Sequence, residues 1–319
     1  MASYDIQFQK GLSLRQFMAT YGTEEQCVEA ICKARWRDGF VCPECGSTRH
    51  CRIARGGHFQ CQDCRKQTSP TAGTIFQGTK LPLTVWFQAM HLLTQGKHSV
   101  SALELKRQLG VHYETAWAMK QKLLVVMAER EENTVLGGRI EVDDAYMGGE
   151  KHEGKRGRGA EGKTPFVVAV ETDPDCPARV LRMRMKALRN VGTKELKAWF
   201  ATGFEQGAKI LTDGWSAYNF LEAAGFEYEA HPSPGGWRSA KSPTFPWVNT
   251  VLGNLKCNIK GVTRWVSKGH LDRYLAEFQY RFNRRFDLAS ILPRLLIVAV
   301  RTPAMPQPML KMAWMGVAS

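Results

Sequence analysis

The 319-residue sequence has no uninterrupted apolar stretch of bilayer-spanning length, and its first residues hold no basic segment followed by an apolar one. Neither a transmembrane protein nor a secreted one is expected, and the expected location is the cytoplasm. Basic amphipathic surface helices are also missing, which argues against an acidic membrane as partner. Acidic residues are scarce: 30 Asp plus Glu stand against 44 Lys plus Arg, a formal net charge of +14. Such a balance fits a polyanion, with nucleic acid the leading class. Hydrophobic residues make up 44% of the chain, enough to fill one large domain with one or two small modules beside it.

Cysteine is not scarce. Four of the nine cysteines fall in two pairs, CPECG at 42–46 and CQDC at 61–64. Two close pairs with a short insert let Cys42, Cys45, Cys61 and Cys64 set four thiolates tetrahedrally around one ion, zinc or, on the ligands alone, iron. Metal explains this spacing better than extracellular disulfides do. One structural ion per chain would supply folding energy and no chemistry. His50 and His58 are then polar loop residues, because four sulfurs complete the site. Cys27, Cys32, Cys51, Cys176 and Cys257 lack comparable spacing and are expected as buried or partly buried thiols. Arg49, Arg52, Arg55, Arg65 and Lys66 surround the pairs as a basic surface, suited to phosphate contacts or simply solvated.

Ahead of this module, residues 12–17 and 23–34 pattern as two short helices that pack on it. Behind it, helices are expected at 84–93, 101–109 and 112–127, with Gly110 at the last break. Leu103, Leu105, Leu109, Val111, Ala116 and Leu123 fit a helix-turn-helix core. Tyr113, Glu114, Thr115, Lys120 and Lys122 would face outward, so the start of the final helix can enter a major groove. Many helical bundles contain such a Gly turn, so the motif alone leaves DNA binding open. His91, His98 and His112 have no ligand-like mutual spacing and suit surface or packing roles.

Leu136-Gly137-Gly138 marks a boundary, after which strands are expected near 140–146, 166–171, 178–185 and 208–212, with a helix at 193–205. Three strands followed by a helix and a parallel strand suit a mixed sheet with helices on its faces. In IEVDDAYMGG, at 140–149, alternation puts Ile140 and Val142 on one face and Glu141 and Asp143 on the other. Lys209 to Thr212 likewise ends in Asp213-Gly214, with a helix expected through Tyr218 and Leu221 and a strand at 226–230. Two strand-end carboxylates hold a divalent metal if the fold brings them together, and otherwise cap turns. The basic, glycine-rich 151–163 is either a solvated loop or one that orders against DNA.

In VNTVLGNLKCNIKG, Asn249 and Lys256 lie about 20 degrees apart in helical projection, beside a stripe of Leu252, Leu255 and Ile259. Asn254 projects about 140 degrees away and is the weaker partner. From spacing alone Asn249 is as readily a helix cap, and Lys256 a solvated lysine. A last long helix at 270–285 carries Arg273, Arg281, Arg284 and Arg285 as part of a basic surface; residues 238–301 hold twelve Lys or Arg against three Asp or Glu. Residues after Arg301 form an accessory tail.

The ordered motifs CPECG, FQCQDC, TSPTAGTIFQGTKLPLTVWF, SALELKRQLGVHYETAW, IEVDDAYMGG, LTDGWSAY, WVNTVLGNLK and RYLAEFQYRFNRRFDL span residues 12–300. Together they resemble the transposases of the insertion-sequence 1595 family, in particular its ISXO2-like group. The resemblance implies an α/β fold, a ribonuclease-H-like mixed sheet with flanking helices, preceded by a zinc ribbon and a helix-turn-helix-like helical module. Its segments would be a helical prefix at 1–36, the ribbon at 37–70, the helical DNA-binding module at 71–135, the catalytic domain at 136–301 and the tail at 302–319. Carried over by position, the acidic residues are Asp143 and Asp213. Where much of the family has glutamate this chain has Asn249, seven residues before Lys256, as in an Asp-Asp-Asn-Lys subgroup. Many relatives also carry Glu after the first Asp, where this chain has Asp144, on the opposite strand face and so a supporting residue.

The implied activity is DNA transposition with two Mg²⁺, for which Mn²⁺ substitutes. Asp143 would bridge the ions, Asp213 hold one, and Asn249 complete or orient the other, with Lys256 positioning a phosphate. Transposon terminal inverted repeats would be hydrolysed at a phosphodiester and the freed 3′-hydroxyl joined to target DNA. Partners would be double-stranded DNA of the ends and the target, with a homodimer or larger assembly formed on it at the nucleoid. DNA contacts would come from Arg49, Arg52, Arg55, Arg65, Lys66, Tyr113, Thr115, Lys120, Lys256, Lys260, Arg284 and Arg285. Asn offers only a neutral carbonyl oxygen, so a catalytically impaired DNA-binding regulator and a nuclease without strand transfer stay open as alternatives.

Overall fold

The computed structural model describes residues 10–53, 57–148, 163–176, 179–190, 192–232 and 245–312. Two compact units divide the chain: Met1–Glu129 with Arg284–Met312, and Arg130–Asn283. Arg55 and most of the glycine-rich 151–163 lie outside the described residues.

The first unit opens with α1 (Leu14–Tyr21) and α2 (Glu24–Arg35), each started by a reciprocal capping box, Ser13 with Gln16 and Thr23 with Gln26. Three short antiparallel strands follow, β1 (His50–Arg52), β2 (Phe59–Cys61) and β3 (Gln67–Thr68). Their small core is Phe40, Cys42, Phe59 and Cys61, joined by Cys32 of α2 with Val28 and Trp36 packed against it. The helical part is α3 (Leu83–Gln95), α4 (Ala102–Leu109) and α5 (Tyr113–Glu132). Gly110, at φ 66°, closes α4 in the left-handed region and donates its N–H to Lys106 O, making the tight turn into α5. Pro82 leaves α3 with no cap of its own; Glu24 of α2 accepts instead from Leu83 N at 2.9 Å and Thr84 N at 3.2 Å.

Two further helices belong to this unit, α9 (Ile291–Ala299) and α10 (Gln307–Lys311). α9 packs against α2 and α3, and Gln95 donates to Leu288 O at 3.2 Å. The sequence reading placed residues 284–301 with the sheet, whereas they cluster with the N-terminal residues.

His91 of α3 is buried with its ring centroid 4.5 Å from that of Phe17, and burial holds its pKa below the usual histidine value. The unfolded chain therefore takes up a proton near pH 6.5 that the folded chain resists. The stabilisation from neutral His91 is present above that pH and lost as pH falls below it. Thermal melts between pH 7.5 and 5.5 should show a smaller loss of midpoint in His91→Leu than in wild type; equal losses would remove His91 from the account.

The second unit is built on a five-stranded sheet in the order β6-β5-β4-β7-β8. β4 (Arg139–Met147), β5 (Thr164–Thr172) and β6 (Val180–Ala187) are antiparallel neighbours. α6 (Thr193–Gly203) then leads to β7 (Lys209–Thr212), parallel to β4, and β8 (Glu227–Ala230), parallel to β7. This is the mixed sheet that the strand pattern predicts, of the ribonuclease-H-like kind that the family resemblance implies. β5 is buried at every position because both faces are covered. One face packs Ile140, Val142 and Ile210 against Leu196, Trp199 and Phe200 of α6. The other packs Ala145, Val168 and Leu211 against Val248, Leu252 and Leu255 of α7 (Pro246–Val262) and Leu271 and Leu275 of α8 (Leu271–Asn283).

After Asp213 the expected helix is instead a pair of 3-10 turns, Ser216–Tyr218 and Glu222–Ala224. Ala217, Tyr218, Phe220 and Leu221 are all buried, so neighbouring positions face inward and no single helical stripe forms. α8 covers the outer edge of β6 with side chains in place of a strand. Asp272, Gln279 and Asn283 accept from Ala187 N, Met185 N and Met183 N at 2.6, 2.9 and 2.8 Å. Those three bonds satisfy an edge that would otherwise invite pairing with another chain.

Candidate metal centres and active site

Two knuckles hold the four cysteines. In each, the residue after the second cysteine turns through the left-handed region, Gly46 at φ 72° and Arg65 at φ 61°. The sulfurs of Cys42, Cys45, Cys61 and Cys64 all lie within 4.8 Å of one another, the one such cluster of His, Cys, Asp or Glu among the described residues. Cys42 and Cys64 sulfurs are 3.5 Å apart, and Cys45 and Cys61 sulfurs 3.6 Å. A tetrahedron with Zn–S of about 2.3 Å needs sulfurs about 3.8 Å apart, so the set fits zinc with little adjustment. The backbone N–H of Cys45 holds the Cys42 thiol low and that of Cys64 holds Cys61 down at about 7, whereas, against the N–H of Lys66, burial and the other three sulfurs push Cys64 up to about 12.

Around the ribbon, Arg49 pairs with Asp63, Arg52 with Glu29 at 3.0 Å and Lys66 with Glu44 at 3.3 Å. All three basic side chains remain largely solvent-exposed. Of the remaining thiols, Cys27 and Cys32 are buried, but Cys51, Cys176 and Cys257 are exposed, contrary to the expectation for them.

Strand register sets the two aspartates level. β4 and β7 pair in parallel as Arg139 with Lys209, Ile140 with Ile210 and Glu141 with Leu211. Continuing that offset sets Asp143 level with Asp213, one step past the end of β7. Facing agrees: Asp143 sits opposite Val168 of β5, which belongs to the core under α7, and Asp213 is two residues beyond Leu211 of that same core. Asp144 sits opposite Val167, in the core under α6, so it occupies the other face. Both aspartates are half-buried. Asp143 Oδ1 accepts from Asp144 N at 2.8 Å, and Asp213 Oδ1 from Trp215 N at 3.1 Å.

The third element arrives through a residue that the sequence pattern did not single out. α7 begins at Phe245-Pro246 with no side-chain cap of its own. Glu141, fully buried on β4, supplies it: Oε2 accepts from Trp247 N at 3.0 Å and Val248 N at 3.1 Å, while Oε1 pairs with Arg139 at 3.1 Å. A carboxylate is well placed at a helix N-terminus, where N–H groups lack partners and the dipole is positive. Glu141 shares a face with Asp143 and fastens the turn of α7 that carries Asn249, so that turn is tied to the same strand as Asp143. Its signals were an acid two residues before Asp143 and a helix start lacking Ser, Thr, Asp or Asn. Glu141→Ala should cost about 3–5 kcal/mol, as for breaking a buried pair, and Glu141→Gln much less because its carbonyl still accepts both N–H groups. Equal melting of both variants with wild type would refute the clamp.

Asn249 is half-buried and its backbone N–H donates to Phe245 O at 3.4 Å; Lys256 and Lys260 are exposed farther along α7. His231, just past β8, donates its N–H to Thr212 O and brings its ring to 2.6 Å from Glu229 Oε1 and 6.0 Å from the Phe245 ring centroid. It therefore lies beside Asp213 and the start of α7, a position that the chain pattern did not reveal.

Several basic residues are not where a DNA surface would need them. Lys120 is 1% exposed and donates to Val100 O at 2.7 Å and Ser99 Oγ at 3.2 Å, cross-linking α5 to the entry of α4. Its expected outward face is thus corrected: position 120 lies on the inner side of α5, and its amine is satisfied internally. Arg284, just past α8, is buried too, as are Arg273 and Arg281 on α8. Arg285 is partly buried over the Phe286 ring, and burial brings its pKa down to about 10. Tyr113 remains 50% exposed and Thr115 half-buried at the start of α5. Lys120→Ala should therefore lose about 1–3 kcal/mol of stability from its stranded carbonyl partner, leaving the salt dependence of DNA binding unchanged. Melting curves check this, and a midpoint equal to wild type would refute the internal role of the amine.

A mixed sheet with two level aspartates and a metal-fitting four-cysteine knuckle defines a class of zinc-ribbon proteins with a ribonuclease-H-like domain. Family models place the chain within it: residues 135–283 match the ISXO2-like transposase domain, and residues 22–67 the transposase zinc-ribbon domain. The chain belongs to the IS1595 family of transposases. It is also 26% identical over 281 residues, 82% of this chain and 92% of the relative, to an uncharacterized protein in transposable element ISH50 of Halobacterium salinarum. Among solved structures it matches a pre-cleavage Mos1 transpososome and the Mos1 strand transfer complex, each at 12% identity over 69% of this chain. These matches cover 79% and 78% of the respective Mos1 chains, with TM-scores of 0.27 and 0.26, too low to bear on the fold. Among the described residues, no helix is long and apolar enough to cross a membrane.

Proposed function

We propose that the chain cuts transposon terminal inverted repeats and joins them to target DNA at the sheet edge carrying Asp143 and Asp213. The observation that carries this reading is the β4–β7 register, which sets the two carboxylates level on the face covered by α7. Asp143, Asp213 and the carbonyl of Asn249 form an all-oxygen donor set of the kind that holds Mg²⁺ or Mn²⁺. Such ions, when bound, lower the pKa of water and stabilise charge on the phosphorus in transit. Asn249 contributes one negative charge fewer than a glutamate would. Glu141 offsets the looser third corner by fixing the start of α7, and Lys256 supplies a positive charge seven residues along for a phosphate oxygen.

The ribbon arginines and the exposed start of α5 would hold and align the ends, without taking part in chemistry. Synapsis of two ends requires at least two chains, assembled on DNA at the nucleoid in the cytoplasm.

The test is a strand-transfer assay on DNA carrying matched inverted repeats, scoring bound, nicked and joined species separately. Wild type should give all three, and Asp213→Asn only bound DNA. Binding with no metal-dependent nicking by wild type would make the chain a regulator, and nicking without joined target a nuclease. Asn249→Ala should lose activity as well; full retention would remove Asn249 from the metal site.

A further inference from the structure

Between Glu229 and Asp272 the sequence contains no acidic residue. α7 runs through this stretch with Val248, Val251, Leu252, Leu255 and Ile259 buried. Beside that buried stripe, Gly253, Lys256 and Lys260 are exposed and follow Asn249 within about 60 degrees of arc. A Cβ added at Gly253 or Gly261 would meet nothing within 4 Å, so bare backbone lies open beside the lysines. The helix closes where Thr263 N and Arg264 N both donate to Ile259 O, at 3.0 and 2.9 Å. Arg264 takes φ 59°, a conformation L side chains rarely adopt, and the next residue, Trp265, is turned into solvent. At 71% exposure Trp265 is the most exposed large hydrophobic residue among those described. Exposed Lys268 follows it.

We propose that this face is a track for a single DNA strand leading away from the Asp143–Asp213 edge, with phosphates along Lys256, Lys260, Arg264 and Lys268 and one base stacked on Trp265. The inference rests on the proposed strand chemistry, which frees a strand end at that edge. A basic path punctuated by a flat aromatic is the arrangement that binds single strands without sequence preference, since every base has a π-face. Duplex DNA would offer the indole no free face, and the exposed stripe carries no other large apolar side chain for a membrane to take. At 1.5 Å per residue the helix from Asn249 to its end is on the order of 20 Å long, about six nucleotides at 3.4 Å spacing.

The zinc-loaded full chain, without added magnesium, is titrated with single-stranded oligothymidylate and with a duplex of equal length. Trp265→Ala should bind the single strand about 10-fold more weakly, with Trp265→Phe close to wild type and duplex affinity nearly unchanged. Lys260→Ala with Arg264→Ala should lower the salt slope for single-strand binding by about 1.4. On an end substrate with 2-aminopurine about six nucleotides from the cut, wild type should quench the probe and Trp265→Ala should not. Single-strand binding unchanged in Trp265→Ala, equal losses on duplex, or Trp265-dependent binding to anionic vesicles in place of DNA would overturn the track. Wild-type chain that binds through Trp265 but never nicks or joins would instead overturn the proposed chemistry and leave the track standing.

Discussion

An Asp143→Asn chain is expected to fold, bind transposon ends like wild type and lose nicking by on the order of 10³-fold or more. The fold should survive because the bond that Asp143 Oδ1 accepts from Asp144 N is one that an amide oxygen can also accept. What the substitution removes is charge. Asn249 is already neutral, so the donor set falls from two carboxylates to one, too little to hold divalent cations beside a phosphodiester. A glutamate-bearing site would retain two charges after the same change, so this chain should be the more sensitive. Parallel melting curves, gel-shift titrations and nicking time courses check all three parts; parallel loss of binding and nicking would point to misfolding.

Removing zinc is the second large effect. The ribbon has strands of three, three and two residues and a core of Phe40, Phe59 and three cysteines, too little apolar area to fold unaided. Zinc binding of about 10–16 kcal/mol in comparable small modules is the folding energy itself. Chelation should abolish end binding while leaving the five-stranded sheet intact by circular dichroism. Thiol titration follows the change residue by residue. Cys51, Cys176 and Cys257 are exposed and should react at once, and Cys42, Cys45, Cys61 and Cys64 only after chelation. Cys27 should react last, because burial pushes its thiol up to about 12. Reaction of the four ligand cysteines at the initial rate, with end binding retained after chelation, would contradict a structural ion.

The four cysteines of the ribbon were legible because spacing alone constrains them; Asp143, expected at a strand end, lies instead in the middle of β4, and Asp213 directly follows β7. Their alignment was not legible: the offset that levels them is a property of pairing between β4 and β7, set by α6 and its crossover. Charge misled more than apolar pattern did. Lys120, Arg273 and Arg281 sit in basic stretches that suggest a surface, yet each lies on a buried helix face, and burial of a cation depends on partners distant in sequence. Glu141 and Glu24 show the same limit from the acidic side, each capping a helix remote in sequence that starts without a cap. α9 was missed because ILPRLLIVA is apolar nearly all round and carries Pro293 in its first turn, so it offers no helical stripe to recognise.

The central claim is that Asp143 contacts a divalent metal at the phosphodiester, and a change of metal preference tests it most directly. Nicking of a matched end is measured for wild type and Asp143→Cys, in Mg²⁺ and in Mn²⁺. A thiolate is a poor ligand for Mg²⁺ and a better one for the softer Mn²⁺. The expected result is wild-type nicking in both metals and Asp143→Cys nicking restored only by Mn²⁺; Asp143→Cys nicking at the wild-type rate in Mg²⁺ would contradict it.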